Sequence, residues 1–155
     1  MTELFHHIIQ RYFLFDFEMA KANEEQLATI VQWHGERQAT LTDDQRASNK
    51  EMFKALMADP EKMAAMKAEG DATFQAADTN SNGVLTLAEY RDFAEKSTAN
   101  AKAKGWAVPD STDADTEKWW NMMCTIAGTP DGIAKADHDS ISGQMMQVYA
   151  SKMQE

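Results

Sequence analysis

Apolar residues recur along this chain three and four positions apart, and the pattern divides it into a series of helices. Leu4, Ile8, Tyr12 and Phe15 form one stripe, with Ile9, Phe13 and Phe17 beside it. That apolar face is wider than a surface helix shows, so residues 4–20 are expected either to pack deeply or to dock reversibly in a groove. Leu27, Ile30, Val31 and Trp33 mark a second, shorter helix over 24–34, which His34-Gly35 is expected to end, the glycine serving as cap. Thr42 followed by Gln45 has the form of a capping box and opens a helix running to about Leu56, with Met52, Phe53 and Leu56 inward. Pro60 suits the first turn of the next helix, which carries Met63, Met66 and Phe74 toward Asp78.

Tyr90 and Phe93 then mark a helix to about Lys104, after which Gly105, Pro109 and residues 110–117 read as a linker. Residues 117–128 form another helix, with Trp119, Met122 and Ile126 on one side and Trp120, Met123 and Ala127 on the other. A short turn, GTPDG, precedes a final helix that carries Ile141, Met145, Val148 and Tyr149 and ends near Met153.

Composition makes this an all-α chain. Only 7 Gly and 3 Pro interrupt 155 residues rich in Ala, Glu, Lys, Met and Gln, all good helix formers. The 43% hydrophobic content supports a core of one domain or two small ones. Residues 1–58 read as an N-terminal helical region, in which a decayed pair of the unit described below is one option, and 59–155 as the region that carries chemistry. A net charge of −10 repels phosphate backbones and anionic lipid, so no nucleic acid is expected as partner. The apolar N-terminus is interrupted by Glu3, Arg11, Asp16 and Glu18, and no membrane span is expected. The single Cys124 excludes an intrachain disulfide and, in an apolar helix, reads as buried. A cytoplasmic protein is the expectation. His6, His7, His34 and His138 lack ligand spacing, and no phosphate loop or nucleophile motif is present. The chain does not read as an enzyme.

One segment has a specific chemistry. Residues 78–89 read DTNSNGVLTLAE. Asp78, Asn80 and Asn82, spaced by two, bring side-chain oxygens to one point as the chain curls, and Gly83 permits the sharp turn. Val84 offers its backbone carbonyl, leaving its side chain unconstrained, and Thr86 offers oxygen directly or through water. Glu89 closes the set with a two-oxygen carboxylate from the first turn of the outgoing helix. Oxygen ligands of this number and kind suit Ca²⁺. Thr86 and Glu89 also form a capping box. Leu85 is an apolar residue inside this polar loop, and Phe74, Tyr90 and Phe93 flank it.

The loop and its flanks resemble the EF-hand superfamily, of the calmodulin and sarcoplasmic calcium-binding type. Residues 105–137, with a Trp-containing helix before a PDG turn, also resemble ciliate calcium-binding proteins. The resemblance implies one bound Ca²⁺ in an intact hand over 60–104, paired with a degenerate, metal-free hand over 116–153. In that second hand Asp131-Gly132 stands for the middle of the loop, Ile133 mirrors Leu85, Asp137 falls near the closing position, and Ala127, Gly128 and Thr129 occupy the ligand positions. The run Asp113, Asp115, Glu117 has ligand spacing, but Lys118 stands where glycine is needed, so it reads as linker or helix N-terminus. Two carboxylates and two amides imply an affinity of roughly 10⁻⁷–10⁻⁵ M. The implied role is a calcium-responsive regulator of an unidentified protein target. A calcium buffer and a structural subunit of a cytoskeletal assembly are the alternatives, and the oligomeric state is left open. The 11 Met serve either as ordinary core filling or as an adaptable target groove.

Overall fold

Polar caps set the boundaries of the helices. Asn23 with Gln26, Thr42 with Gln45, Thr86 with Glu89 and Thr112 with Asp115 each form a reciprocal capping box, and Asp59 caps a helix whose first residue is Pro60. The computed structural model describes residues 21–152, so the stripe over 4–20, His6, His7 and Met153 lie outside the described residues. Within them the order is α1 (Glu24–Gln38), α2 (Asp43–Met57), α3 (Pro60–Ala77), β1 (Val84–Leu85), α4 (Leu87–Ala103), α5 (Asp113–Ala127), β2 (Ile133–Ala134) and α6 (Lys135–Lys152). The all-α expectation holds, with one antiparallel two-stranded ladder that pairs Val84 with Ala134 and Leu85 with Ile133.

Two boundaries differ from expectation. α1 continues past Gly35 to Gln38, because Gly35 stays in right-handed geometry and the helix ends instead at Ala39. The added turn is useful: it carries Arg37. α5 begins at Asp113 rather than 117, because the Thr112–Asp115 box starts the helix inside the segment read as linker.

The main core is built around the ladder. Leu85 and Ile133 are fully buried opposite each other, among Phe74, Tyr90, Phe93, Trp120, Met123 and Ile141. Burial of each aliphatic side chain contributes about 2–3 kcal/mol. The two faces read for α5 both have partners. Trp120 and Met123 enter the main core, while Trp119, Met122 and Ile126 pack against Ala22, Ile30 and Met145. Met57, Met63, Met123 and Met145 are all buried, as core filling requires. Among the described residues no helix is long and apolar enough to cross a membrane.

α1, the residue pair before it and α2 are fastened to the rest by hydrogen bonds, ring contacts and apolar packing. The Ala22 N–H donates to Gln144 Oε1 at 2.7 Å, and Gln144 Nε2 donates back to the Ala22 carbonyl at 3.2 Å. Trp33 stacks on Trp119, with centroids 5.8 Å apart and planes 11° apart. Arg37 lies 5.0 Å from the Trp33 ring centroid and donates to the carbonyls of Pro109 and Asp110. Asn49 pairs with both backbone groups of Ala107, at 2.8 and 2.9 Å. His34 sits edge-on to Trp33, Trp119 and Tyr149. Burial, with Arg37 nearby, lowers its pKa to about 4.

Candidate functional site

α3 delivers Asp78 and α4 begins two residues before Glu89, so the segment between is held by two helices and by β1. Asp78 leaves helical geometry (φ −76°, ψ 79°), its N–H still bonded to the Phe74 carbonyl. Ser81 (φ 55°) and Gly83 (φ 77°) then adopt left-handed backbone. Nothing lies within 4 Å of where a Cβ on Gly83 would stand. Glycine is needed there for conformation rather than for space.

This curl turns three side-chain oxygen groups into the loop. Asp78 Oδ1 accepts from the Asn82 N–H at 3.2 Å and Oδ2 from the Gly83 N–H at 2.7 Å. Asn80 Oδ1 accepts from the Asn82 N–H at 3.2 Å, and Asn82 Oδ1 from the Val84 N–H at 2.9 Å. Each of these oxygens carries two lone pairs and satisfies few donors, so acceptor capacity remains. Glu89 closes the loop from the other side. Its Oε2 accepts from the N–H and hydroxyl of Thr86 at 3.0 and 3.2 Å, and its Oε1 from the N–H and hydroxyl of Thr79 at 3.2 and 2.9 Å. The Thr86 N–H first, then the Thr79 hydroxyl, hold its carboxyl below the ordinary glutamate pKa.

Asp78, Asn80, Asn82, Val84, Thr86 and Glu89 thus lie on one loop, with the Asp78, Asn80, Asn82 and Glu89 side chains tied to its backbone. One expectation needs correction. The Val84 side chain is constrained: its Cγ1 occupies the place a Cβ on Gly132 would take, and that Cβ would also come within 3.3 Å of the Leu85 carbonyl oxygen. Val84 packs on the facing loop because the ladder brings the two backbones together there.

The second loop is built differently. Six residues, 78–83, separate α3 from β1, whereas five, 128–132, separate α5 from β2. Gly128 (φ 70°) caps α5 in left-handed geometry, with the Thr129 N–H bonded to the Cys124 carbonyl at 3.0 Å. The Thr129 hydroxyl donates to the Gly132 carbonyl at 2.7 Å and closes the turn on itself. Gly132 has no positive φ, unlike the glycine it stands for in the first loop. Asp137 stands four residues after Ile133, as Glu89 stands four after Leu85. Cys124 is buried, and burial pushes its thiol up.

Further features join the loops to their surroundings. The Trp120 indole N–H donates to the Leu85 carbonyl at 3.3 Å, inside the core. The Lys135 N–H donates to the Gly83 carbonyl at 3.2 Å, while its ammonium meets Asp71 of α3 and Asp139 of α6, each at 2.6 Å. Lys67 meets the same two carboxylates, so the four residues form a ring of alternating charge between α3 and α6. Burial works to lower the Lys135 pKa, but its bonds to Asp139 and Asp71 outweigh it and hold the ammonium above its ordinary value. Asp115 caps α5 and lies 3.8 Å from Arg37, which accounts for the acidic run as a helix N-terminus.

Among the described residues no group of three or more His, Cys, Asp or Glu side chains is arranged to hold a metal ion. The first loop has two such groups, Asp78 and Glu89; its other donors are amide, hydroxyl and carbonyl oxygens. Sequence reasoning missed Thr79, Ser81 and the lysine ring. Thr79 and Ser81 fall at positions where the motif accepts any residue, and the ring joins residues far apart in sequence. Comparison with family models, curated proteins and solved structures finds no match to this chain.

Proposed function

We propose that the loop Asp78–Glu89 binds one Ca²⁺, as the intact member of an EF-hand pair whose second member, built on α5 and α6, is metal-free. Asp78, Asn80 and Asn82 would supply side-chain oxygens, Val84 its carbonyl, Thr86 oxygen directly or through water, and Glu89 both carboxylate oxygens. When bound, the divalent charge satisfies oxygens that otherwise depend on weak backbone donors. The observation that carries this reading is the inward turn of the Asp78, Asn80 and Asn82 oxygens, faced by a Glu89 carboxylate fastened at both ends of the loop. An all-oxygen set with two carboxylates suits a hard cation and carries less charge than the most acidic loops.

On this reading the protein is a cytoplasmic calcium-responsive regulator of a partner protein. It has no catalytic role. The Leu85 carbonyl that receives the Trp120 indole sits two residues after Gly83, so the loop and the second hand share one backbone segment.

A second reading, a buffer that binds with little opening, is favoured by a separate observation. The Lys67–Asp71–Lys135–Asp139 ring ties α3 to α6, and α1 covers the Trp119, Met122 and Ile126 face of α5. Calorimetric calcium titration of wild type and Glu89→Gln, with tryptophan emission followed in parallel, tests both. One site lost on substitution, with a large emission change that Trp120→Phe removes, supports the regulator. One site with silent emission supports the buffer. Binding unaffected by Glu89→Gln sinks the assignment of the site.

A further inference from the structure

Thr79 lies outside the six positions to which the motif assigns ligands, yet it makes half of the hydrogen bonds that Glu89 receives. Its N–H and hydroxyl both reach Oε1, at 3.2 and 2.9 Å, while Thr86 holds Oε2 in the same double manner. The two threonines stand at opposite ends of the loop, one directly after Asp78 and one directly before α4. Glu89 therefore bridges them. A glutamate on the first turn of an exposed helix ordinarily samples several rotamers, and fixing it costs side-chain entropy. Four hydrogen bonds to a charged acceptor oppose that freedom.

We propose that Thr79 is a positioning residue, which holds the Glu89 carboxylate against the start of the loop before any cation arrives. Each carboxylate oxygen has lone pairs beyond those the two threonines use, so the same bonds persist when Glu89 turns its remaining capacity inward. The ordering cost of the closing ligand is then met in the metal-free protein rather than on binding, which raises affinity without adding a ligand. The affinity consequence rests on the calcium reading of the loop; the clamp itself does not.

The test separates the two. Wild type, Thr79→Val and Thr79→Ser are titrated with calcium by calorimetry. Valine keeps the shape and the N–H but removes the hydroxyl, whereas serine keeps the hydroxyl and loses the β-methyl. Thr79→Val is expected to weaken binding about fivefold, the effect of one hydrogen bond to an exposed partner, with one site retained and Thr79→Ser restored to within twofold of wild type. Unchanged or tighter binding by Thr79→Val overturns the proposal, as does failure of serine to restore it. In parallel, amide hydrogen exchange is measured in chelator on wild type and Glu89→Ala. The Thr79 N–H is expected to exchange several-fold faster in Glu89→Ala; equal rates overturn the clamp. If wild type takes up no calcium, the calcium reading fails by itself, and the exchange measurement alone decides the role of Thr79.

Discussion

The two loops share a ladder and differ in what holds their curl. In the first, side-chain oxygens of Asp78, Asn80 and Asn82 accept from the loop's own N–H groups, and a left-handed glycine, Gly83, makes the turn. In the second, the turn is one residue shorter, Gly128 closes the helix before it, and the Thr129 hydroxyl closes the rest. Their glycines have opposite reasons to exist. Gly83 has open space around it and a backbone angle that side chains resist; Gly132 has an ordinary angle and no space, since Val84 fills it. The same residue type at matching places thus reports two pressures, one conformational and one steric. The first loop spends its polarity on acceptors aimed inward, the second on completing itself.

On the proposed calcium reading, the largest expected difference is in calcium binding. Glu89→Gln should reduce binding below calorimetric detection, whereas Asp137→Asn, at the matching offset in the second loop, should leave affinity within twofold. Equal losses would erase the distinction between the loops. The ladder should behave symmetrically. Leu85→Ala and Ile133→Ala each remove a fully buried side chain from the same core, and each should cost about 3 kcal/mol in urea unfolding. If one costs far less, the two strands do not share a single core.

The glycines sharpen the comparison further. Gly132→Ala should cost about 2 kcal/mol through overpacking and be largely rescued by Val84→Ala. Gly83→Ala should cost about 1 kcal/mol through its positive φ, with no rescue by Val84→Ala. Rescue of both, or of neither, would refute the division of roles.

Acid acts away from the first loop, because His34 sits edge-on to Trp119 of α5 and Tyr149 of α6. Its folded pKa of about 4 lies below the ordinary 6.5. The unfolded chain therefore binds the proton more readily, and stability is full above about pH 6.5 and falls as pH drops toward 4. Between those values wild type should lose about 2–3 kcal/mol more than His34→Phe, read as the difference between their unfolding free energies at each pH. Parallel curves would mean that His34 titrates normally.

Much of this was legible in the pattern of residues. The Thr42–Gln45 and Thr86–Glu89 boxes, the two faces of α5 and the burial of Cys124 follow from local spacing, the facing of Leu85 by Ile133 follows only from the family resemblance, and the structure has each. What failed was also local. Gly35 looked like a stop, but nothing in its surroundings demands left-handed backbone, and an exposed mid-helix glycine costs only about 1 kcal/mol. Thr112 reads as linker because the apolar pattern begins later than the cap, while the acidic run with Asp115 reads as linker or helix N-terminus, and the structure has the second. What sequence could not supply was the meeting of distant groups: Trp120 with Leu85, Lys135 with Asp71, Val84 with Gly132. For the loop itself, the ligand-type residues were readable one by one. The grip of Thr79 was not, because its position in the motif carries no chemical requirement.

The pairing of Ala22 with Gln144 has a consequence for the order of events during synthesis. The two residues are 122 positions apart. At about 5–20 residues per second, a ribosome takes roughly 6–25 s to travel between them. α1 therefore meets its α5 partners Trp119, Met122 and Ile126 first, and completes its packing against Met145 only after that interval, once α6 has been made.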